Sequence, residues 1–177
     1  MSDWKSGYSR SELDQAQDRY DVRFPSDLYA LLLDRNPARG YAWDREDPTI
    51  RHMLAWPLDC LLFDVDHGSW WPAWGERPID RMARHEVVRD AIRAAPKLIP
   101  ILGHRFLPAT PDEAGNPVFS MHGFDTIQYG ANLAEYFSKE FCGTHHDGAS
   151  RRIAFWSDLA EEPERVIVHD PDSDGID

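Results

Sequence analysis

Three places in this 177-residue sequence carry side chains whose types and spacing could do chemistry. Asp64-Val65-Asp66 follows the apolar run Leu61-Leu-Phe63 in the D-x-D spacing that aspartate-nucleophile phosphotransferases place at a strand end. In such a site one carboxylate attacks phosphorus while the other handles the proton beside a Mg²⁺ ion. Asp64 and Asp66 therefore define one alternative reading, a metal-dependent hydrolase or phosphotransferase. The chain continues His67-Gly68-Ser69 instead of the Gly and Thr such sites carry, and no repeated βαβ pattern supplies a parallel sheet. Acidic residues facing water at a strand end account for the pair more simply.

Cys142-Gly-Thr-His145-His146 offers thiolate and imidazole, both good Zn²⁺ ligands, with His104, His122 or Asp147 as candidates for a fourth. No second C-x-x-C or H-x₃-H element completes a set, so the stretch reads as a helix end followed by solvated histidines. Ser120 and His122 share a strand face, but no third group orients a base and no G-x-S-x-G framework surrounds them. The sequence is thus expected to hold no catalytic residue, no metal and no other cofactor. Trp70, Trp71 and Trp74 form its most unusual cluster. Tryptophans of this kind either anchor an interface or cap a core, and the core is expected to take at least two of the three.

The elements that must position these groups follow from periodicity and punctuation. Ser11-Glu-Leu-Asp14 reads as a capping box opening a helix with Leu13, Ala16 and Tyr20 on its apolar face. Ser26 is expected to cap a second helix, with Asp27 favourable near its dipole and Leu28, Leu31 and Leu32 buried, and Asn36-Pro37 ends it. A loop follows from Ala38 to Pro48. Ile50 to Trp56 predicts a helical turn stopped by Pro57, and Leu61 to Val65 a strand broken by Asp66-His67-Gly68. Asp80 caps a longer helix reaching about Ala95, with a stripe of Ala83, Val87, Ala91 and Ala94. Leu98 to Leu102 reads as a strand whose internal Pro100 marks an edge or a bulge. Arg105 to Leu107, Val118 to Met121 and Thr126 to Tyr129 complete the strands, the last two as a hairpin. Asn132 and Glu135 form a second capping box for a helix with Leu133, Phe137 and Phe141 as its stripe, and Gly143 stops it. Phe155 and Trp156 lie in a final apolar patch.

The sum is an α+β single domain over residues 1–170, with N-terminal helices, a mainly antiparallel sheet and a closing C-terminal helix. Residues 171–177 form an acidic tail expected to be disordered. A net charge of −12 argues against a nucleic-acid partner, whose phosphates this surface would repel, and suits a basic protein. No apolar run is long enough to span a membrane. Two cysteines without a secretory h-region point to reduced thiols in the cytoplasm.

The segment from Leu98 to Phe141 resembles the sheet and final helix of the SMI1/KNR4 (SUKH) superfamily. Its marks are Ile99-Pro100-Ile101, His104-Arg-Phe-Leu-Pro108, Gly115-Asn-Pro-Val-Phe-Ser-Met121 and Asp125-Thr-Ile-Gln-Tyr-Gly130 leading into Asn132-Leu-Ala-Glu-Tyr-Phe137. Phe24-Pro-Ser-Asp-Leu28 with Leu31-Leu32 is similar to the family's front helices, and Trp56-Pro57, Phe63-Asp-Val65 and Trp71 to Gly75 to a bacterial branch. Asn36-Pro37 departs from the Asn-Gly common there, so the first loop is expected to be shaped differently. The resemblance implies a non-enzymatic protein-binding domain. In bacteria that means an immunity protein neutralising a toxin by direct contact; among eukaryotic relatives it means a regulatory scaffold. The central segment, with Asp64, Asp66, His67 and Trp70, is the expected partner-binding site, because it is acidic, aromatic and irregular.

Overall fold

The computed structural model describes residues 3–144, 148–161 and 167–168. It is an α+β domain whose centre is a four-stranded antiparallel sheet in sequential order: β4 (Leu98–Leu102), β5 (Arg105–Pro108), β6 (Val118–Ser120) and β7 (Ile127–Gly130). Pro100 sits on edge strand β4 beside a register shift between Pro100 and Leu102, as a residue without an N–H requires. Two smaller antiparallel ladders flank the sheet. β1 (Trp4–Ser6) pairs with β2 (Arg35–Pro37), and β3 (Ser69–Trp70) pairs with β8 (Ile167–Val168).

Helix α1 (Arg10–Tyr20) starts two residues earlier than Ser11 implied. Ser9 is the N-cap, and its hydroxyl and backbone N–H exchange hydrogen bonds with Glu12. Two S-x-x-acid patterns overlap here, and the earlier one carries the longer glutamate side chain, which reaches back to close the box. Leu13, Ala16 and Tyr20 are buried as expected. Helix α2 (Ser26–Asp34) has Pro25, not Ser26, at its N-cap. Its first turn is tied down by Asp27, which accepts from the backbone of Leu28 at 2.9 Å and of Gly115 at 3.1 Å.

The largest departure is α3 (Pro48–Asp66), 19 residues long, which absorbs both the expected helical turn and the expected strand Leu61–Val65. Pro57 lies inside it and removes the bond its N–H would have donated to the Met53 carbonyl, a loss of about 3 kcal/mol in an isolated helix. Packing overrides that loss. Ile50, Pro57, Leu61 and Val65 recur on one helical face and are buried, and the Trp56 indole N–H bonds the Met121 carbonyl at 2.9 Å. A short, mostly apolar stretch does not distinguish helix from strand by periodicity.

After β3 a 3₁₀ turn, Pro72–Trp74, leads to α4 (Arg81–Ala94), capped by Asp80 through the backbone N–H of Ala83 at 2.7 Å. Its inward line runs through Arg84 and Val88, one residue beyond the expected Ala83–Val87 stripe, and Ala94 is exposed. The Arg84 guanidinium, buried with it, donates to the carbonyls of Pro78 and Ile79. Helix α5 (Leu133–Cys142) is capped by Asn132, which accepts from Glu135 N–H at 2.9 Å, and it ends at left-handed Gly143. Glu135 reaches past the cap residue to the Ala131 N–H, so the box is one residue wider than expected. A further short helix, α6 (Trp156–Glu161), follows the last apolar patch.

The sheet is buried on both sides, where helices in front and sheet behind would bury one. Ile99, Ile101, Leu107 and Val118 join a core with α1, α2 and α5. Leu98, Phe106, Phe119 and Met121 join a second core with Leu61 and Val65 of α3, Trp70, Trp71 and Trp156. Alternate strand residues feed alternate cores, as the pleat dictates. No helix among the described residues is long and apolar enough to cross a membrane. The acidic tail 171–177 lies outside the described residues.

Candidate functional site

Helix α3 places its buried residues on one side and a different set on the other. His52, Trp56, Asp59, Phe63 and His67 fall at intervals of three and four, opposite Ile50, Pro57, Leu61 and Val65. The helix starts firmly: Asp47 caps it through the Thr49 N–H at 2.8 Å, with Pro48 at the first position. Against this outward face lies the loop after β6, which contributes His122. The two enclose an open cleft of about 440 Å³ lined by His52, Trp56, Asp59, Cys60, Phe63, Asp64 and His122.

The cleft is aromatic and partly acidic. Trp56 meets the rings of His52 and His122 edge-on, with centroids at 5.5 and 6.1 Å, and His122 packs on His104 at 4.2 Å. Phe63 is 62% exposed, unusual for a phenylalanine on a well-anchored helix. His67 stacks on it at 4.0 Å, with its Nδ1 2.7 Å from the Phe63 carbonyl. Cys60 is a poor nucleophile here, because burial and then the carboxylates of Asp64 and Asp59 push its thiol up to about 11.

Asp64 and Asp66 are brought to one helix but not to one site. Two residues along a helix differ by about 200° in direction, and the two carboxylates serve different neighbours. Asp64 accepts from the Phe124 N–H at 2.8 Å and so fastens the loop after β6; burial raises its pKa. Gly123 has φ +60°, and a Cβ there would lie 2.0 Å from the Asp64 carboxylate, so a glycine is what lets the carboxylate come this close. Asp66 turns toward α4, where Arg81 donates two bonds at 3.0 and 2.6 Å and His85 Nε2 lies at 2.7 Å. The Arg81 hydrogen bond, helped by His85, holds Asp66 down at about 2. The D-x-D spacing thus joins three elements, and the strand end that a phosphotransferase nucleophile needs is a helix end.

Of the four residues expected at a partner surface, His67 is exposed and Asp64 lines the cleft. Asp66 is engaged with α4. Trp70 lies in the interior instead: it is 2% exposed, its indole N–H donates to the Gly75 carbonyl at 2.9 Å, and it belongs to the second core. Trp71 is buried as well, and Trp74 packs against both and against Phe124. No group of three or more His, Cys, Asp or Glu able to hold a metal occurs among the described residues. Cys142 is exposed, and His145 and His146 lie outside the described residues.

Sequence reasoning missed Phe63, His52, Trp56 and His122 as one surface. The signal was a polar and aromatic stripe at helical spacing from His52 to His67, hidden because Pro57 divides it. The chain matches no protein-family model, no curated protein and no solved structure.

Proposed function

We propose that this chain is a non-enzymatic protein-binding domain whose contact surface is the outward face of α3, centred on Phe63. The observation that carries the reading is a phenylalanine 62% exposed on an anchored helix, beside the Trp56 cleft and carboxylates of Asp59, Asp64 and Asp125. An exposed aromatic on a rigid element loses little entropy on binding and supplies large apolar area. Acidic residues around it favour a basic partner, as does the net charge of −12. With the resemblance to SMI1/KNR4 proteins, the reading becomes an immunity protein that neutralises a bacterial toxin by direct contact in the cytoplasm. A regulatory scaffold would use the same face. The phosphotransferase alternative lacks geometric support, since Asp64 and Asp66 point to different elements.

The test is binding kinetics against basic protein domains encoded beside this gene, at low and high salt. Phe63→Ala should speed dissociation at least about tenfold without changing stability, as loss of an interface anchor does. Asp59→Lys should slow association and flatten its salt dependence. Tight binding untouched by either substitution overturns the site. Phosphoester turnover that disappears in Asp64→Asn overturns the non-enzymatic reading.

A further inference from the structure

A second cavity, of about 300 Å³, shares no lining residue with the α3 cleft. It is formed by the turn joining β4 and β5 (Leu102, Gly103, His104, Arg105), by Arg39 from the loop after β2, and by Tyr136 and Glu140 of α5. Two buried polar atoms among its lining residues have no hydrogen-bond partner: the Tyr136 hydroxyl and Arg105 Nε. Tyr136 is fully buried, at 0% exposure. Leaving such donors unpaired is costly, so a fold keeps them where something else accepts from them.

Arg105 is held from two sides. Arg105 donates through Nη1 to Ser120 Oγ at 2.8 Å, and its guanidinium lies 3.8 Å from the Tyr129 ring centroid. Lys139 sits 3.9 Å from the same centroid and donates to the Tyr129 carbonyl at 3.2 Å. Tyr41 closes the turn from below, donating through its hydroxyl to the Gly103 carbonyl at 2.5 Å. Burial, then Glu140, pushes the Tyr136 phenol well above its ordinary value, so it stays protonated and available as a donor. Arg39 makes no hydrogen bond or ion pair among the described residues, unlike most arginines of this chain.

We propose that this cavity binds the carboxylate of a small organic acid, with Arg105 Nε and the Tyr136 hydroxyl as inner donors and Arg39 as the outer cation. The charge count selects the ligand. Among the lining residues two guanidinium groups face one carboxylate, Glu140, while Lys139 lies outside the lining and is engaged with the Tyr129 ring and carbonyl, which leaves room for a single negative charge. His104 adds none, because burial and then Arg105 and His122 lower its pKa. A phosphate dianion would bring one charge too many against Glu140, and a cavity of 300 Å³ is at the small end of ligand sites.

Nuclear magnetic resonance titration of the full chain with benzoate, acetate and inorganic phosphate tests this. Benzoate should give saturable shifts at Gly103, Arg105 and Tyr136 with a millimolar dissociation constant, and phosphate should bind more weakly. Arg39→Gln and Tyr136→Phe should each weaken benzoate about tenfold. Neither should lower the melting temperature, because Arg39 has no described partner and the hydroxyl removed is unpaired. That combination separates a ligand role from a structural one. Absence of saturable shifts, or shifts equal in both variants and the wild type, overturns the site. Phosphate binding tighter than benzoate overturns its assignment to a carboxylate.

Discussion

Asp66 shows how a residue that invites a catalytic reading can belong to the frame. Its carboxylate holds the end of α3 to the start of α4 through Arg81 and His85. A native pKa of about 2, against 3.8 ordinarily, means that folding favours the ionised form. The stabilisation is therefore complete above about pH 4–5 and disappears as pH falls through 2. Arg81 is well exposed, so solvent screening limits the contribution to roughly 1–2 kcal/mol. Asp66→Asn should lower urea stability by about that amount at pH 7, with the gap narrowing below pH 4 and closing near pH 2. A gap independent of pH would mean that shape, not charge, joins the helices. Asp64, two residues away, behaves oppositely, since burial raises its pKa. Residue types were legible in the sequence; their partners, on elements 15 to 60 positions distant, were not.

At the level of elements, the sequence was most readable where caps and turn residues act locally. The hairpin of β6 and β7, the Asp80 and Asn132 caps, the Gly143 stop and the edge position of Pro100 all depend on near neighbours. It was least readable at α3, where burial of a long helical face outweighs one proline, and at β1, β3 and β8, whose pairings are distant. The α5 stripe held in part. Leu133 and Phe137 are buried, Tyr136 joins them, and Phe141 is half-buried. Trp4 covers this helix, with its ring 5.0 Å from both Phe137 and Phe141. Phe137→Ala should cost about 3 kcal/mol by chemical denaturation, the low end for a core aromatic, because the ring borders an open groove. A loss under 1 kcal/mol would show that Trp4 and Phe141 close over the gap.

For the whole molecule, the order of expected helices and strands indicated one α+β domain, and the four-stranded antiparallel sheet bears that out. What composition did not disclose is that the sheet divides the interior in two. Leu98-Ile-Pro-Ile-Leu102 is apolar almost throughout because both its sides are covered, a pattern a half-buried strand does not show. Among the helices, α3 is rooted in both halves: Ile50 belongs to the first core, Leu61 and Val65 to the second, and Pro57 stands between them. The missing bond at Pro57 thus falls where α3 passes from one core to the other, and local opening is expected to divide there. In native-state hydrogen exchange, the amides of α3 before and after Pro57 should open with different free energies and different denaturant sensitivity. Those after it should move with the strand amides of Phe106 and Phe119. Such a helix would transmit little from one half of the protein to the other, so a partner seated on Phe63 should slow exchange around the second core and leave α1 and α2 unchanged.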